Sequence, residues 1–227
     1  MFKLDKLNLG YGNAPILSDI NLEFMQGETV AIVGESGSGK STLMAHLYSL
    51  LPKHVAWCPQ DGALVPSLST FHNIYAGTLS QHSFIYNLRN LVHPYAAEYK
   101  KVKNIAIKLD LQEKLKISVD QLSGGQKQRV NIARALIQPH TIFLGDEPVS
   151  AQDDFHKMKI INTLTASFET CIFVFHDLDI ALRCCNRIIG LGKGKVLFDE
   201  PVTQLTKTQL SLVYSHHVAS NHSLMNT

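Results

Sequence analysis

A glycine-rich segment that ends in a lysine and two hydroxyl residues is suited to phosphate chemistry. It runs Gly34-Glu35-Ser36-Gly37-Ser38-Gly39-Lys40-Ser41-Thr42 and fits the pattern G-x-x-x-x-G-K-[ST]. The glycines allow successive backbone N–H groups to converge on phosphate oxygens, and the lysine adds a positive charge near the β and γ phosphates. The Ser41 hydroxyl can bind Mg²⁺. The segment therefore predicts a site for a nucleotide and its Mg²⁺ rather than a glycine-rich hairpin or linker.

Two adjacent carboxylates follow a short apolar run later in the chain. Residues 141–145 read Thr-Ile-Phe-Leu-Gly, and Asp146-Glu147-Pro148 comes directly after them. Open α/β sheets bind ligands at the C-terminal ends of their strands. Because the protein's part in phosphoryl transfer is mainly positioning and charge neutralisation, we assign Asp146 to the Mg²⁺ shell and Glu147 to the attacking water. The alternative is a solvated acidic turn, which the intact phosphate loop disfavours.

A second anion-binding pattern lies between these two segments. Leu122-Ser123-Gly124-Gly125-Gln126 precedes KQRVNIARAL, which has the character of a helix beginning at a Ser-Gly-Gly turn. A serine hydroxyl, glycine N–H groups and a helix N-terminus can all face a phosphate. One nucleotide needs only the cradle of the phosphate loop, so a second cradle in the same chain indicates that two chains pair.

Strands and helices that alternate along the chain would position these residues. Strands are predicted at 29–33, 141–144 and 171–175, and helices at 41 to about 51, around 102–109 and around 130–137. Residues 2–9 and 16–24 alternate like two antiparallel strands, and a hairpin surrounds Lys193-Gly194. The polar region from 61 to about 120 interrupts the alternation and is predicted to form a mostly helical lobe. The pattern predicts an α/β fold with a mostly parallel sheet.

The composition restricts the class of protein. Of 227 residues 45% are hydrophobic and the net charge is +2, which excludes a disordered chain and a protein that holds nucleic acid by bulk phosphate neutralisation. No apolar run approaches the roughly 18 residues of a membrane span, and the first residues lack the pattern of a secretory signal, so we expect a cytosolic protein. The four cysteines have no zinc-ligand spacing and are expected to be reduced core thiols.

With these motifs the sequence resembles the ATP-binding subunit of ABC (ATP-binding cassette) transporters, from Leu4 to about Glu200. The resemblance implies one P-loop NTPase cassette over 1–227, with a nucleotide-binding core at 1–60 and 120–200. It also implies a helical sub-lobe at about 61–119 and a C-terminal helix and tail at about 201–227. The implied activity is Mg²⁺-dependent ATP hydrolysis coupled to transport.

In that family two cassettes pack head to tail, and the signature segment of one closes over the γ-phosphate held by the other. The resemblance places Ser123, Gly124, Gly125 and Gln126 in that role. It makes Lys40, Glu147 and His176 the catalytic group, with His176 as the switch histidine that contacts the γ-phosphate and helps fix Glu147. Metal binding falls to Ser41, Gln60 and Asp146.

The resemblance also assigns single residues that would be weak signals alone. Tyr11 matches the aromatic that stacks on adenine, Gln60 the glutamine that senses Mg²⁺ and the membrane partner, and Asp153 the loop (150–153) that crosses the dimer interface. A lone tyrosine in a turn is more often a packing residue, and a lone histidine after a strand is usually structural. Their order around two strong motifs favours the functional interpretation.

The sequence departs from the family pattern at three places. Only nineteen residues, 41–59, separate Lys40 from Gln60, so the N-terminal antiparallel sub-lobe is expected to be reduced. Gln152 stands where leucine is usual in the crossing loop, and Gly145 replaces an apolar residue before the acids. The phosphate, metal and water roles are unaffected, but these changes bear on coupling across the interface.

Several short segments resemble the phosphonate-type importers of bacteria, among them 72–77, 146–150 and 176–183. The implied partners are a second cassette in the ATP-bound state, integral membrane permease subunits and, indirectly, a solute-binding protein, with no nucleic acid. The chain would sit on the inner face of the cell membrane through the permease. Apolar and aromatic residues between Asp61 and Ala96 are the candidate groove for a permease helix, unless they pack the lobe's own core.

Three other functions remain as alternatives. A soluble cassette ATPase acting on DNA or ribosomes usually carries a coiled-coil insertion or two fused cassettes, and neither is present in the sequence. A P-loop GTPase needs an N-K-x-D element, which is absent, and a dead structural subunit is disfavoured because the catalytic group is complete.

Three tail histidines, His216, His217 and His222, are more typical of a loosely ordered tail than of a metal site.

Overall fold

A computed structural model describes residues 1–11 and 14–213, without the side chain of Tyr11. The three tail histidines lie outside the described residues. The described part divides into two compact units, the first built from residues within Met1–Lys53, Leu144–Glu147 and Glu169–Thr227 and the second from His54–Phe143 and Pro148–Phe168. The domain boundaries drawn from the sequence at 61 and 119 stay predictions.

The first unit begins with a two-stranded antiparallel sheet of β1 (Phe2–Tyr11) and β2 (Ala14–Phe24). The two aromatic side chains at the start of β1 and the end of β2, Phe2 and Phe24, face each other edge to face and are buried. The alternating pattern of the sequence predicts this sheet. With only two strands among the described residues, it is the reduced sub-lobe that the short interval before Gln60 leads us to expect.

The main sheet of the first unit contains the motif-bearing strands. At its centre β3 (Thr29–Val33) pairs in parallel with β6 (Thr170–Val174) and β7 (Arg187–Gly192). Strand β5 (Ile142–Asp146) lies next to β6 and β8 (Lys195–Pro201) next to β7, so the order is β5-β6-β3-β7-β8. β8 closes the edge as an antiparallel hairpin with β7. The β3, β6 and β7 runs are almost entirely buried because helices cover parallel sheets on both faces. The helices of this unit are α1 (Lys40–Leu50), α7 (Leu178–Cys184) and α8 (Lys207–Val213).

A half-buried ion-pair network ties strands of the first unit together. The Arg187 guanidinium makes two hydrogen bonds to Asp199, at 2.6 and 2.7 Å, and also donates to Glu28 and to the Glu23 carbonyl. A planar guanidinium with fixed donors suits such bidentate pairing, so this network fixes the register of β7 against β8 beside the antiparallel sheet.

The second unit is mostly helical, as its sequence predicts. It contains β4 (Val55–Cys58), which neighbours β5 (Ile142–Asp146), the strand that runs from this unit into the first. Its α-helices are α2 (Thr70–Tyr75), α3 (Phe84–Val92), α4 (Ala96–Lys108), α5 (Gly124–Leu136) and α6 (Asp154–Ser167). Within the described ranges no helix is long and apolar enough to cross a membrane.

Candidate functional site

The glycine-rich loop connects the buried strand β3 directly to α1. Gly37 and Gly39 have φ angles of 78° and 100°, which side chains with a Cβ rarely adopt. A Cβ on Gly34 would lie 2.3 Å from the Leu191 carbonyl oxygen, and one on Gly39 would lie 2.5 Å from Leu17 Cδ2. Three positions of the loop are therefore restricted to glycine, Gly37 by its backbone angle, Gly34 by lack of space and Gly39 by both.

Lys40 opens α1, and its ammonium group is folded over the loop. Its Nζ donates to the carbonyl oxygens of Gly34 and Glu35, each at 2.8 Å, and the side chain is buried. Burial lowers the pKa of Lys40, while the charges of Glu147 and Asp146 oppose that shift. An ammonium has three N–H donors, so the two bonds within the loop leave one for a phosphate oxygen.

Asp146 ends β5 with its carboxylate buried close to α1. Burial is the main cause that raises the pKa of this carboxyl group and Glu147 raises it further, while Ser41, Lys40 and His176 lower it. The Oδ1 oxygen of Asp146 is buried and has no hydrogen-bond partner among the described residues. A buried carboxylate oxygen without a donor is costly, and a cation is the group that would compensate it.

Glu147 and His176 form an ion pair next to Asp146. His176 Nε2 lies 2.6 Å from Glu147 Oε1, and the imidazole is half exposed whereas the Glu147 side chain is largely covered. Glu147 has a φ of 51°, a conformation uncommon for residues with a side chain, and its N–H donates to the Val174 carbonyl. The β5 and β6 strands thus bring together a carboxylate and a histidine that lie far apart in sequence.

These residues fit a nucleotide with Mg²⁺. Ser38 Oγ in the loop is, like Asp146 Oδ1, buried without a partner among the described residues. Ser41 and Asp146 together supply a hydroxyl and a carboxylate, the oxygen ligands that Mg²⁺ takes in phosphate sites. The structure brings together Lys40, Ser41, Asp146, Glu147 and His176, all predicted from the sequence; their individual roles stay predictions.

The second anion-binding pattern forms the N-terminus of α5 in the second unit. Ser123 caps the helix: its Oγ accepts from Gln126 N at 3.3 Å, and Gln126 Oε1 accepts from Ser123 N at 3.0 Å. The Gln126 side chain thus holds the turn, while the serine hydroxyl can still donate. Ser123 and Gly124 are exposed, and a Cβ on Gly124 would meet nothing. The N–H groups of Gly124 and Gly125 have no intrahelical acceptor, so this turn can bind an anion.

Asp153 has a clear local role at the start of α6. Its Oδ1 accepts from His156 N at 3.0 Å and its Oδ2 lies 2.7 Å from His156 Nδ1. These His156 contacts hold the pKa of Asp153 below its usual range. The carboxylate therefore orders the end of the 150–153 loop, and contact with a nucleotide remains a prediction.

The loop around Gln60 is anchored on both sides by α5. Asn131 Nδ2 donates to Cys58 Sγ and to the Pro59 carbonyl, at 3.2 and 3.0 Å. Arg134 donates to the carbonyl oxygens of Gly62 and Ala63 and to Asn131 Oδ1. Gln60 itself is exposed at the tip between these anchors. Its role toward Mg²⁺ stays a prediction, as does adenine stacking by Tyr11, whose side chain is not described.

Sequence reasoning did not single out Asn131, Arg134 or Gln128 as supports of the site. All three are polar residues on α5, and two of them, Asn131 and Arg134, lie on its partly buried face. A buried asparagine inside an amphipathic helix was the available signal, because buried amides need hydrogen-bond partners.

The chain matches the family model described as "ABC transporter" over residues 17–150. It is 33% identical to the phosphonates import ATP-binding protein PhnC of Pseudomonas entomophila, over 94% of this chain and 91% of that protein. It is 30% identical to the phosphite import ATP-binding protein PxtA of Stutzerimonas stutzeri, over 95% of this chain and 87% of that protein.

Solved structures with similar folds include bacterial cassettes. The dimeric structure of the bacterial ABC transporter cassette MJ0796 superimposes with a TM-score of 0.77 and 27% identity, over 89% of this chain and 99% of that one. A dimeric post-hydrolysis state of the same ATP-binding cassette, bound to ADP and Pi, has a TM-score of 0.71 and 26% identity, over 88% and 98%.

Proposed function

Because the chain belongs to the ABC transporter family, we propose that it hydrolyses ATP to drive a membrane complex that imports phosphonate, phosphite or a related small oxyanion. The observation that carries the hydrolytic part is the Glu147–His176 pair at 2.6 Å beside Asp146, Ser41 and Lys40. The names of the relatives support the oxyanion, since the phosphonate and phosphite import proteins match almost the whole chain.

Glu147 acts as the general base in this proposal. Its carboxylate takes a proton from the water that attacks the γ-phosphate, and His176 holds the carboxylate oxygen from the exposed side. Lys40 places its remaining N–H and its charge at the β and γ phosphates, and the loop glycines present backbone N–H groups. Ser41 and Asp146 would hold Mg²⁺, which when bound neutralises phosphate charge during the transfer.

The exposed turn at the start of α5 is proposed to complete the site of a second cassette. Ser123, Gly124 and Gly125 offer donors that this chain's own helix does not use. The dimeric cassette structure at 27% identity supports such pairing. We therefore propose a pair of cassettes in the ATP-bound state, with the partner either a second copy of this chain or a related one.

A groove beside α3 is the proposed docking site for a helix of the membrane permease. It has a volume of about 350 Å³ and is walled mainly by apolar side chains, among them Tyr75, Leu79, Leu88 and Leu91. The same helix leaves Phe84 78% exposed. An exposed apolar surface of this kind favours an amphipathic helix as partner. The chain would then be peripheral to the membrane, and a solute-binding protein would act on it only through the permease.

The hydrolytic part is tested by steady-state ATPase assays on the purified chain with Mg²⁺. Glu147→Gln should retain ATP binding and lose about 10²- to 10⁴-fold in rate, the usual contribution of a general base. Lys40→Ala should weaken ATP binding itself. Glu113→Gln, at an exposed glutamate outside the site, is the matched control and should behave like the parent. A Glu147→Gln variant that hydrolyses ATP at the parent rate refutes the assignment of the base.

The transport part is tested by reconstituting the chain with its permease and solute-binding protein in lipid vesicles. A phosphonate or phosphite should then stimulate ATP hydrolysis. Leu88→Glu should abolish the stimulation and leave the basal rate unchanged, whereas Ile107→Glu, an equally exposed site on α4, should leave both unchanged. Equal loss in both variants, or in neither, would show that the groove is not where the permease binds.

A further inference from the structure

Two glutamine side chains join the first turns of α5 to the 150–153 loop. Gln152 Nε2 donates to the Gly125 carbonyl at 2.7 Å and to Gln128 Oε1 at 3.2 Å. The same Gln128 oxygen accepts from Ala151 N at 3.1 Å, and Gln128 Nε2 donates to Ser150 Oγ at 3.0 Å. We call this set of hydrogen bonds the amide bracket. It links every residue from Ser150 to Gln152 with the turn that carries Ser123–Gln126.

The donors and acceptors of the amide bracket fix the orientation of both glutamine side-chain amides. A backbone carbonyl can only accept, so the Gln152 atom next to Gly125 must be its amide nitrogen. The Gln128 oxygen faces two donors, which fixes the orientation of that amide as well. The backbones also approach closely, because a Cβ on Gly125 would lie 2.9 Å from the Ala151 carbonyl oxygen. Both glutamine side chains are half-buried, and the two bonds that Gln152 donates are partly shielded from competing water.

Leucine, the residue usual in the family at this position, can make none of the Gln152 bonds. A leucine would fill the same space, and only the bonds of Gln128 to Ser150 and Ala151 would then join the loop to the helix. The departure noted in the sequence therefore has a structural counterpart: in this chain the loop and the signature turn are hydrogen-bonded to each other through a side chain.

We propose that Gln152 is a positioning residue that makes the crossing loop and the signature turn move as one body, so that the two ATP sites of a cassette pair respond to each other. The inference rests on the proposed function, because it requires paired cassettes that hydrolyse ATP. In the family that the chain belongs to, the loop crosses the interface between the paired cassettes and the turn closes over the γ-phosphate that the partner holds. A rigid link between them converts a movement at one contact into a movement at the second.

The test is ATPase rate against ATP concentration for the full chain and its Gln152 variants. Gln152→Leu removes the two bonds that Gln152 donates and keeps the side-chain bulk, whereas Gln152→Glu keeps the shape but cannot donate to the Gly125 carbonyl or to Gln128 Oε1. Both should lower the Hill coefficient from about 2 toward about 1 and lower the rate at saturating ATP about fivefold or more. Gln138→Leu is the matched control, since Gln138 bonds the Arg134 carbonyl on its own helix, and it should change neither quantity.

A double-mutant cycle separates coupling from a merely structural role. Because Gln128 Oε1 accepts from both Gln152 and Ala151, the two side chains belong to one hydrogen-bonded set, and the loss in Hill coefficient of the double variant Gln128→Leu, Gln152→Leu should be smaller than the sum of the two single losses. An unchanged Hill coefficient in Gln152→Leu and Gln152→Glu overturns the proposal, and so do additive effects in the cycle or losses that follow only the melting temperature. A wild-type chain that does not hydrolyse ATP refutes the proposed function as well, whereas normal hydrolysis with unchanged cooperativity in the variants refutes the coupling alone.

Discussion

Glu147 combines a chemical role with an unfavourable backbone conformation, and the two can be separated by substitution. Its φ of 51° lies in the left-handed region, which costs a residue with a Cβ roughly 1 to 2 kcal/mol. Glycine has no such cost, but it gives the unfolded chain extra freedom equivalent to about 0.4 to 1 kcal/mol. The difference between the midpoints of the two ranges predicts that Glu147→Gly is more stable than Glu147→Ala by about 0.8 kcal/mol. Both variants lose the ion pair with His176, so that contribution cancels in the comparison.

The assay is unfolding of the nucleotide-free protein in urea, with melting temperatures as a second readout. For a chain of this size the predicted difference corresponds to about 2 to 3 °C in melting temperature. Neither variant should hydrolyse ATP at the parent rate. Equal stability of the two variants, or a more stable alanine variant, would show that the backbone at the end of β5 is not strained, and the reasoning would be wrong.

Two further predictions concern the phosphate loop and its acid. Gly39→Ala should lower the free energy of unfolding by more than about 1 kcal/mol, because φ is 100° and the new Cβ would lie 2.5 Å from Leu17 Cδ2. Gly124→Ala is the control, because a Cβ there meets nothing, and its free energy of unfolding, measured by the same urea titration, should stay within about 0.5 kcal/mol of the wild-type value. Because burial raises the pKa of Asp146, its contribution to stability is present below the ordinary pKa of an aspartate and lost as pH rises through the raised value. Unfolding measured from about pH 4 to about pH 8 should therefore show Asp146→Asn gaining stability relative to the wild type as pH rises, and a wild-type advantage that grows with pH would contradict this.

The local elements of the nucleotide-binding unit were predictable because glycine and β-branched residues mark them sharply. The strand predicted at 29–33 is β3, and the helix predicted from Ser41 begins one residue earlier at Lys40. Glycines flank the buried strand at 27 and 34, and the helix begins directly after Gly39; the backbone requirements of these glycines are local. The meeting of Lys40 and Asp146 also followed from parallel topology, since strand ends carry ligands at one edge of the sheet, whereas His176 was expected there from the family resemblance.

The supports of the second unit could not be predicted in the same way. Arg134 and the carbonyl of Gly62 are 72 residues apart, and Gln152 and Gly125 are 27 apart. Such pairs depend on which face of a helix packs against which loop. The periodicity of apolar residues predicts the buried face of a helix but not the loop that covers it. The sequence identified Gln152 only as a departure from a pattern. Its side chain donates to the backbone carbonyl of Gly125, and because every residue has a backbone carbonyl, the residue types could not identify this partner.

The helix α5 is hydrogen-bonded to two different loops along its length and connects them. Its first turns carry the amide bracket and the exposed Ser-Gly-Gly turn, and further along the same helix Asn131 and Arg134 bond the chain on each side of Gln60. Thirteen residues span only about 20 Å, too short a distance for a helix to absorb displacement by bending. A displacement of the Gln60 loop that leaves these hydrogen bonds intact can therefore be passed through α5 to the signature turn.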